Sequence, residues 1–61
     1  MKRDKRAENL SRGDTIVFAH MTLEVKKVVR FEKDNNIKVR VSFQGYRDVE
    51  FNLEQFVTVI D

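Results

Sequence analysis

The stretch Ile37-Lys38-Val39-Arg40-Val41-Ser42-Phe43 decides the fold, because apolar and polar residues alternate through it without a break. Its odd-numbered residues are apolar, and three of those four are β-branched. A period of two with β-branched residues on one side is typical of a half-buried strand. We therefore expect a central strand whose side chains Ile37, Val39, Val41 and Phe43 face the interior of a curled antiparallel sheet.

Four further segments have strand-like patterns and are separated by turn signals: residues 15–19, 22–31, 47–51 and 56–60. The segment 22–31 is long, and strict alternation would bury Lys27 together with its apolar residues. A β-bulge near Lys26 and Lys27 would let the chain change faces, so we expect one there. The pattern does not decide whether Val28 or Val29 points inward.

The segment Lys33-Asp34-Asn35-Asn36 carries the clearest hairpin signal in the chain. Asn and Asp adopt positive φ at lower cost than other residues with a Cβ atom. Matching the apolar faces of the two strands places Phe31 opposite Ile37 around a three-residue loop. In this register Arg30 lies opposite Lys38.

The segment Asn52-Leu53-Glu54-Gln55 interrupts the alternation and has capping-box spacing, which predicts one short 3₁₀ turn before the last strand. This order of elements, opened by Gly13-Asp14-Thr15-Ile16, resembles the Src-homology-3-like small β-barrel, the group that includes KOW, Tudor and translation-factor barrels. The predicted fold is all-β: a five-stranded antiparallel Src-homology-3-like barrel formed by residues 11–61 as a single domain. The resemblance implies a binding module but no particular ligand.

Length and charge set limits on this domain. Its 61 residues allow one small domain, and the chain has no cysteine and no apolar run long enough to span a membrane. The formal net charge of +2 lies in residues 1–10, which carry four basic and two acidic residues, whereas residues 11–61 carry eight of each. We expect residues 1–10 to be a flexible basic arm without a secretory signal, and the protein to be cytoplasmic with no membrane partner.

Nothing in the sequence indicates catalysis or a metal site. His20 is the only histidine, no cysteine accompanies it, and two glycines cannot form a phosphate-cradling loop. The acidic residues are scattered over outward positions of the predicted strands. We therefore expect no enzymatic activity, no cofactor and no metal.

Basic residues on the polar side of the second and third predicted strands form the candidate contact surface: Lys26, Arg30, Lys38 and Arg40. Like charges directly across a strand pair cost about 0.2–1 kcal/mol, so an uncompensated stripe indicates an anionic partner. Neutralisation by acidic neighbours, or protection of a sheet edge by lysines, would explain the same pattern without a partner. Tyr46 and Arg47 lie at the tip between the third and fourth strands, where they could stack on a base or grip a peptide. A tyrosine folded over the barrel end would have no such role.

The function that these features favour is a non-enzymatic nucleic-acid-binding module, for RNA or DNA. The basic strand face would bind phosphates, Tyr46 and Arg47 would lie at the rim, and the arm would add non-specific affinity. The alternative is a protein-interaction module that docks on a larger partner, which an exposed Tyr46, Phe56 or Val57 would favour. We expect a monomer, with self-association through an exposed edge strand as a third alternative.

Overall fold

The computed structural model describes residues 2–60 as six antiparallel strands in one curled sheet. The strands are β1 (Lys2–Arg6), β2 (Thr15–Phe18), β3 (Met21–Lys33), β4 (Asn36–Phe43), β5 (Tyr46–Asn52) and β6 (Phe56–Ile60). Their order is β1-β6-β2-β3-β4-β5, so β1 and β5 are the edges of an open sheet. The all-β antiparallel prediction is confirmed, whereas the five-stranded closed barrel is wrong. Met1 and Asp61, the ends of the predicted arm and barrel, lie outside the described residues.

The expected flexible arm is instead strand β1. It pairs with β6 from Lys2 opposite Ile60 to Arg6 opposite Phe56. The physical reason lies just after the strand, where Ala7 and Leu10 are almost completely buried in the core. Apolar burial of these two side chains offsets the entropy of ordering a charged segment.

A partly buried ion pair also links β1 to the turn before β2. Lys5 Nζ lies 3.0 Å from Asp14 Oδ2, and the Ser11 backbone N–H donates to the same oxygen at 3.0 Å. Partial burial pushes the pKa of Asp14 up. The hydrogen bonds from Ser11 and Lys5, together with the Lys5 charge, outweigh that effect and hold the pKa below its usual value.

Strand β3 bends and so joins the two halves of the sheet. Its first half pairs with β2 and its second half with β4, and the register shifts between Val25 and Lys27. The predicted bulge is therefore confirmed. Beyond it, Val28 is half-buried against the core and Val29 is exposed, which answers the question that the sequence left open.

The core lies on the concave side of this sheet. Val39, Val41 and Phe43 of β4 are buried, as the alternation predicts, but Ile37 is 52% exposed. It has the inward phase, yet it sits at the hairpin end of β4, past the last buried side chain. The Phe18 ring of β2 meets the Phe51 ring of β5 edge-on at 5.9 Å, so the sheet curls enough to bring non-neighbouring strands together.

The β3–β4 hairpin closes through a two-residue turn, and not through the predicted three-residue loop. Lys33 pairs with Asn36, and Asp34 and Asn35 between them have φ of 53° and 65°. Two positive φ values are the mark of a type I′ turn, whose twist matches that of the flanking strands. The predicted register is therefore wrong by one residue: Phe31 lies opposite Lys38, and Arg30 lies opposite Val39.

The connection between β5 and β6 is a hydrogen-bonded turn, whereas the 3₁₀ turn of this chain lies at Ala7–Asn9. The predicted reciprocal contact is nevertheless present, because the Asn52 N–H donates to Gln55 Oε1 at 3.4 Å. The carbonyls of Leu53 and Gln55 accept hydrogen bonds from the N–H groups of Glu8 and Ala7, so this turn is joined to the 3₁₀ turn. Among residues 2–60, no helix is long and apolar enough to cross a membrane.

Candidate nucleic-acid interface

The convex side of the β3–β4 hairpin concentrates basic and apolar side chains. Alternation after the bulge gives one phase of β3 to the convex side, and the register gives it the even-numbered residues of β4. Asn36, next to the turn, shares this side. We call the remaining side chains the outer face of the hairpin: Lys27, Val29, Phe31, Lys33, Lys38, Arg40 and Ser42. Four of the seven are lysine or arginine, and Glu50 of β5, which pairs with Arg40 on this side, offsets part of their charge.

Arg40 is held at the centre of this face by two contacts. Its guanidinium carbon lies 4.8 Å from the centroid of the Phe31 ring, and its Nη2 lies 3.2 Å from Glu50 Oε2 on β5. Lys33 Nζ lies 3.7 Å from the other carboxylate oxygen of Glu50. Exposed contacts of these kinds contribute about 0.5–1 kcal/mol for the cation–π pair and up to about 1 kcal/mol for each ion pair. They hold an arginine and an aromatic ring together as one platform.

Two lysines of the outer face have no such compensation. Lys27 pairs across the strands with Ser42, and Lys38 pairs with Phe31 on one side and Asn52 on the other. Within residues 2–60 neither lysine has an ion pair or a side-chain hydrogen bond. Their charges are therefore available to an anionic ligand.

The structure brings together only some of the site residues that the sequence predicts. Lys38 and Arg40 share the outer face, but Arg30 has the opposite phase across from Val39, and Lys26 lies within the bulge. Tyr46 and Arg47 begin β5 at the end of the β4–β5 turn. The six predicted residues therefore do not form one surface.

The residues considered for base stacking or for a protein contact are only partly accessible in the structure. Tyr46 is half-buried, and its ring meets the Phe18 ring edge-on with 6.3 Å between the centroids. The guanidinium carbon of Arg47 lies 5.9 Å from the centroid of the Tyr46 ring. This is the arrangement in which the tyrosine folds over the end of the sheet. Of the two β6 residues considered for a protein contact, Phe56 is exposed but Val57 is buried.

Sequence reasoning missed Lys27, Val29, Phe31 and Lys33 as members of the outer face. The signal that could have found them is the pair Asp34-Asn35, since both residue types tolerate positive φ in a two-residue turn. That turn shifts the register by one residue and moves Phe31 from the core side to the side of Lys38.

The fold is a small all-β one, with six antiparallel strands in one open sheet, and the small-β-barrel resemblance in the sequence is borne out at the level of fold. A solved structure of a translation initiation factor eIF-5A family protein from Naegleria fowleri superimposes on 98% of this chain with a TM-score of 0.80 at 13% identity. The chain corresponds to 47% of that protein and so spans about half its length. No family model and no curated protein matches the sequence. At this identity the similarity establishes the fold alone.

Proposed function

We propose that this chain is a non-enzymatic module that binds nucleic acid, with single-stranded RNA as the form that it fits best. The observation that carries the proposal is the composition of the outer face, where uncompensated lysines flank an arginine stacked on an aromatic ring. Lysines neutralise backbone phosphates, and the accessible part of the half-buried Phe31 ring, together with the exposed Arg40 guanidinium, can stack on unpaired bases.

Each side chain then has a distinct role. Lys27 and Lys38 contact phosphates, because no protein carboxylate competes for them among the described residues. Phe31 and Arg40 provide the stacking platform, and Glu50 orients the guanidinium through its 3.2 Å contact. Stacking on such a platform contributes about 1–3 kcal/mol per base and tolerates any base, so the expected binding is weakly sequence-specific.

The comparison with a translation initiation factor supports RNA over DNA as the ligand, because translation is carried out on RNA. The proposal rests on the outer face, however, and not on the neighbour. A partner protein that covered the same face would need to be acidic.

Salt dependence tests the proposal most simply. Fluorescence anisotropy with a labelled 15-nucleotide oligouridine would give the dissociation constant between 50 and 200 mM salt. Each phosphate contact to a single strand contributes a slope of about −0.7 in log K against log salt. Contacts from Lys27 and Lys38 alone predict a slope of about −1.4, and contacts from all four cations about −2.8. Over this fourfold range, affinity should fall about 7-fold to 50-fold. Salt-independent binding, or no binding, would refute the proposal.

A matched pair of double variants locates the effect. Lys27→Glu with Lys38→Glu reverses the two uncompensated charges of the outer face and should lower the magnitude of the salt slope by about 1.4. Arg12→Glu with Arg30→Glu makes the same change in net charge at exposed positions off that face. The control should keep the wild-type slope, and equal losses from both variants would show that net charge alone drives binding.

A further inference from the structure

The hairpin end of the sheet contains an open cleft of about 520 Å³ that the nucleic-acid proposal does not use. It lies between β4, the β5–β6 turn and the 3₁₀ turn, and six residues line it: Glu8, Asn36, Ile37, Asn52, Leu53 and Glu54. Ile37 has the phase of the buried residues Val39 and Val41 but is 52% exposed, and Leu53 is half-buried against the core. The floor of the cleft is therefore an uncovered continuation of the hydrophobic core.

The rim of this cleft is negatively charged. The Glu8 N–H donates to the Leu53 carbonyl at 3.3 Å, which brings Glu8 close to Glu54 in the turn. No basic residue lines the cleft, and neither carboxylate has an ion pair or hydrogen bond from its side chain among residues 2–60. Glu32 is paired across the hairpin with the lining residue Ile37, whereas Lys33 and Lys38 are paired with Asn36 and Asn52 and have the phase of the outer face. Two carboxylates that line one cleft without a cation partner favour a positively charged occupant.

We propose that this cleft is a docking site for a basic segment of a partner protein, in which an aliphatic side chain adjoins a lysine or arginine. The aliphatic side chain covers Ile37 and Leu53, and the cation lies between Glu8 and Glu54. The Asn52 side-chain amide, exposed on the wall of the cleft, hydrogen-bonds the backbone of the segment. The cleft adjoins the outer face, because Asn36 and Asn52 pair with Lys33 and Lys38. Its floor nevertheless has the phase of the core and its rim carries carboxylates, so the docking proposal does not depend on the nucleic-acid proposal.

A peptide titration followed by NMR tests the docking site. The probe is a capped pentapeptide in which two leucines alternate with three lysines, added at up to millimolar concentration to the ¹⁵N,¹³C-labelled protein. The Ile37 and Leu53 methyl signals should shift together and saturate. A peptide with glutamates in place of the lysines, and one with serines in place of the leucines, should each produce much smaller shifts.

Single substitutions separate the ionic part of the interaction from the apolar part. Glu8→Gln and Glu54→Gln should each weaken binding roughly two- to fivefold, as expected for an exposed ion pair. Ile37→Ser should weaken it roughly fivefold, because half of an isoleucine surface is available to be covered. Glu24→Gln changes an exposed carboxylate on the first half of β3, away from the cleft, and should leave affinity unchanged.

Four results would overturn the docking site. They are the absence of saturable methyl shifts, equal binding of the glutamate or serine peptide, an effect of Glu24→Gln as large as that of Glu54→Gln, and methyl shifts at Ile37 caused by oligouridine in place of the peptide. The first three of them do not depend on whether the outer face binds RNA.

Discussion

Truncation of Leu10 should destabilise the whole domain, although this residue lies in a segment that the sequence pattern assigns to a flexible arm. Its side chain is only 5% exposed and belongs to the same buried cluster as Ile16 and Val39. The Leu10→Ala substitution removes three carbon atoms from that cluster, which costs about 2.4 kcal/mol at about 0.8 kcal/mol for each. The cavity left behind adds to this, so we expect a loss of about 2.5–4 kcal/mol.

Such a loss is large for a chain of this length. At about 0.05–0.15 kcal/mol per residue, the total stability of 61 residues is about 3–9 kcal/mol. The loss should lower the melting temperature by roughly 10–30 °C, since domains of this size lose about 4–8 °C per kcal/mol. Urea denaturation followed by circular dichroism would give the difference in the free energy of unfolding directly.

Leu23→Ala provides the matched control, because Leu23 lies on β3 and is also buried. It belongs to the core whether the N-terminal segment is a flexible arm or a packed strand. Both variants should lose comparable stability. If Leu10→Ala stays within about 0.5 kcal/mol of the wild type while Leu23→Ala loses more than 2 kcal/mol, the N-terminal segment does not pack as described.

Two further predictions concern local conformation and pH. Ala19 lies in the β2–β3 turn with φ of 50°, so Ala19→Gly should raise the free energy of unfolding by about 0.5–1 kcal/mol. A lowered midpoint in urea would contradict the left-handed conformation. Asp14→Asn should lose about 1–2 kcal/mol at pH 7 by weakening the contacts with Lys5 and Ser11. Because folding lowers the pKa of Asp14, its contribution is complete above the ordinary pKa of 3.8 and is lost as pH falls through the lowered value. The wild type and the variant should therefore converge in stability below that pH, and a constant difference down to pH 2 would contradict the assignment.

Much of the sheet could be predicted because alternation depends on local sequence alone. The strand cores, the last strand, the bulge in β3 and the burial of Val39, Val41 and Phe43 all follow from period-two patterns. The hairpin register could not be obtained in the same way. It depends on whether the turn has two or three residues, and matching Phe31 to Ile37 by hydrophobicity chose the wrong length.

The N-terminal strand escaped prediction for a different reason. All five residues of β1 are charged and none is apolar, so nothing local marks the segment as a strand. Its pairing with β6 depends on Ala7 and Leu10, which become buried only when the sheet curls around them. A feature that depends on the tertiary fold is not encoded in the pattern of the segment itself.

The error in register carried directly into the candidate site. With Phe31 assigned to the core and Arg30 to the polar side, the predicted surface contained an arginine that lies on the opposite side of the hairpin. It also omitted the aromatic ring on which Arg40 stacks. The structure still has a basic face on these strands, but different residues form it. A register shift of one residue moves every side chain of a strand to the opposite side.

The central claim is that RNA contacts the outer face of the β3–β4 hairpin. Intermolecular NOEs between oligouridine base protons and the labelled protein test it most directly, because they report side chains and not merely strands. We expect NOEs from the Phe31 ring and the Val29 methyl groups, with none from Val28 on the opposite side of the same strand. NOEs confined to Tyr46, Phe56 or Ile37 would contradict it.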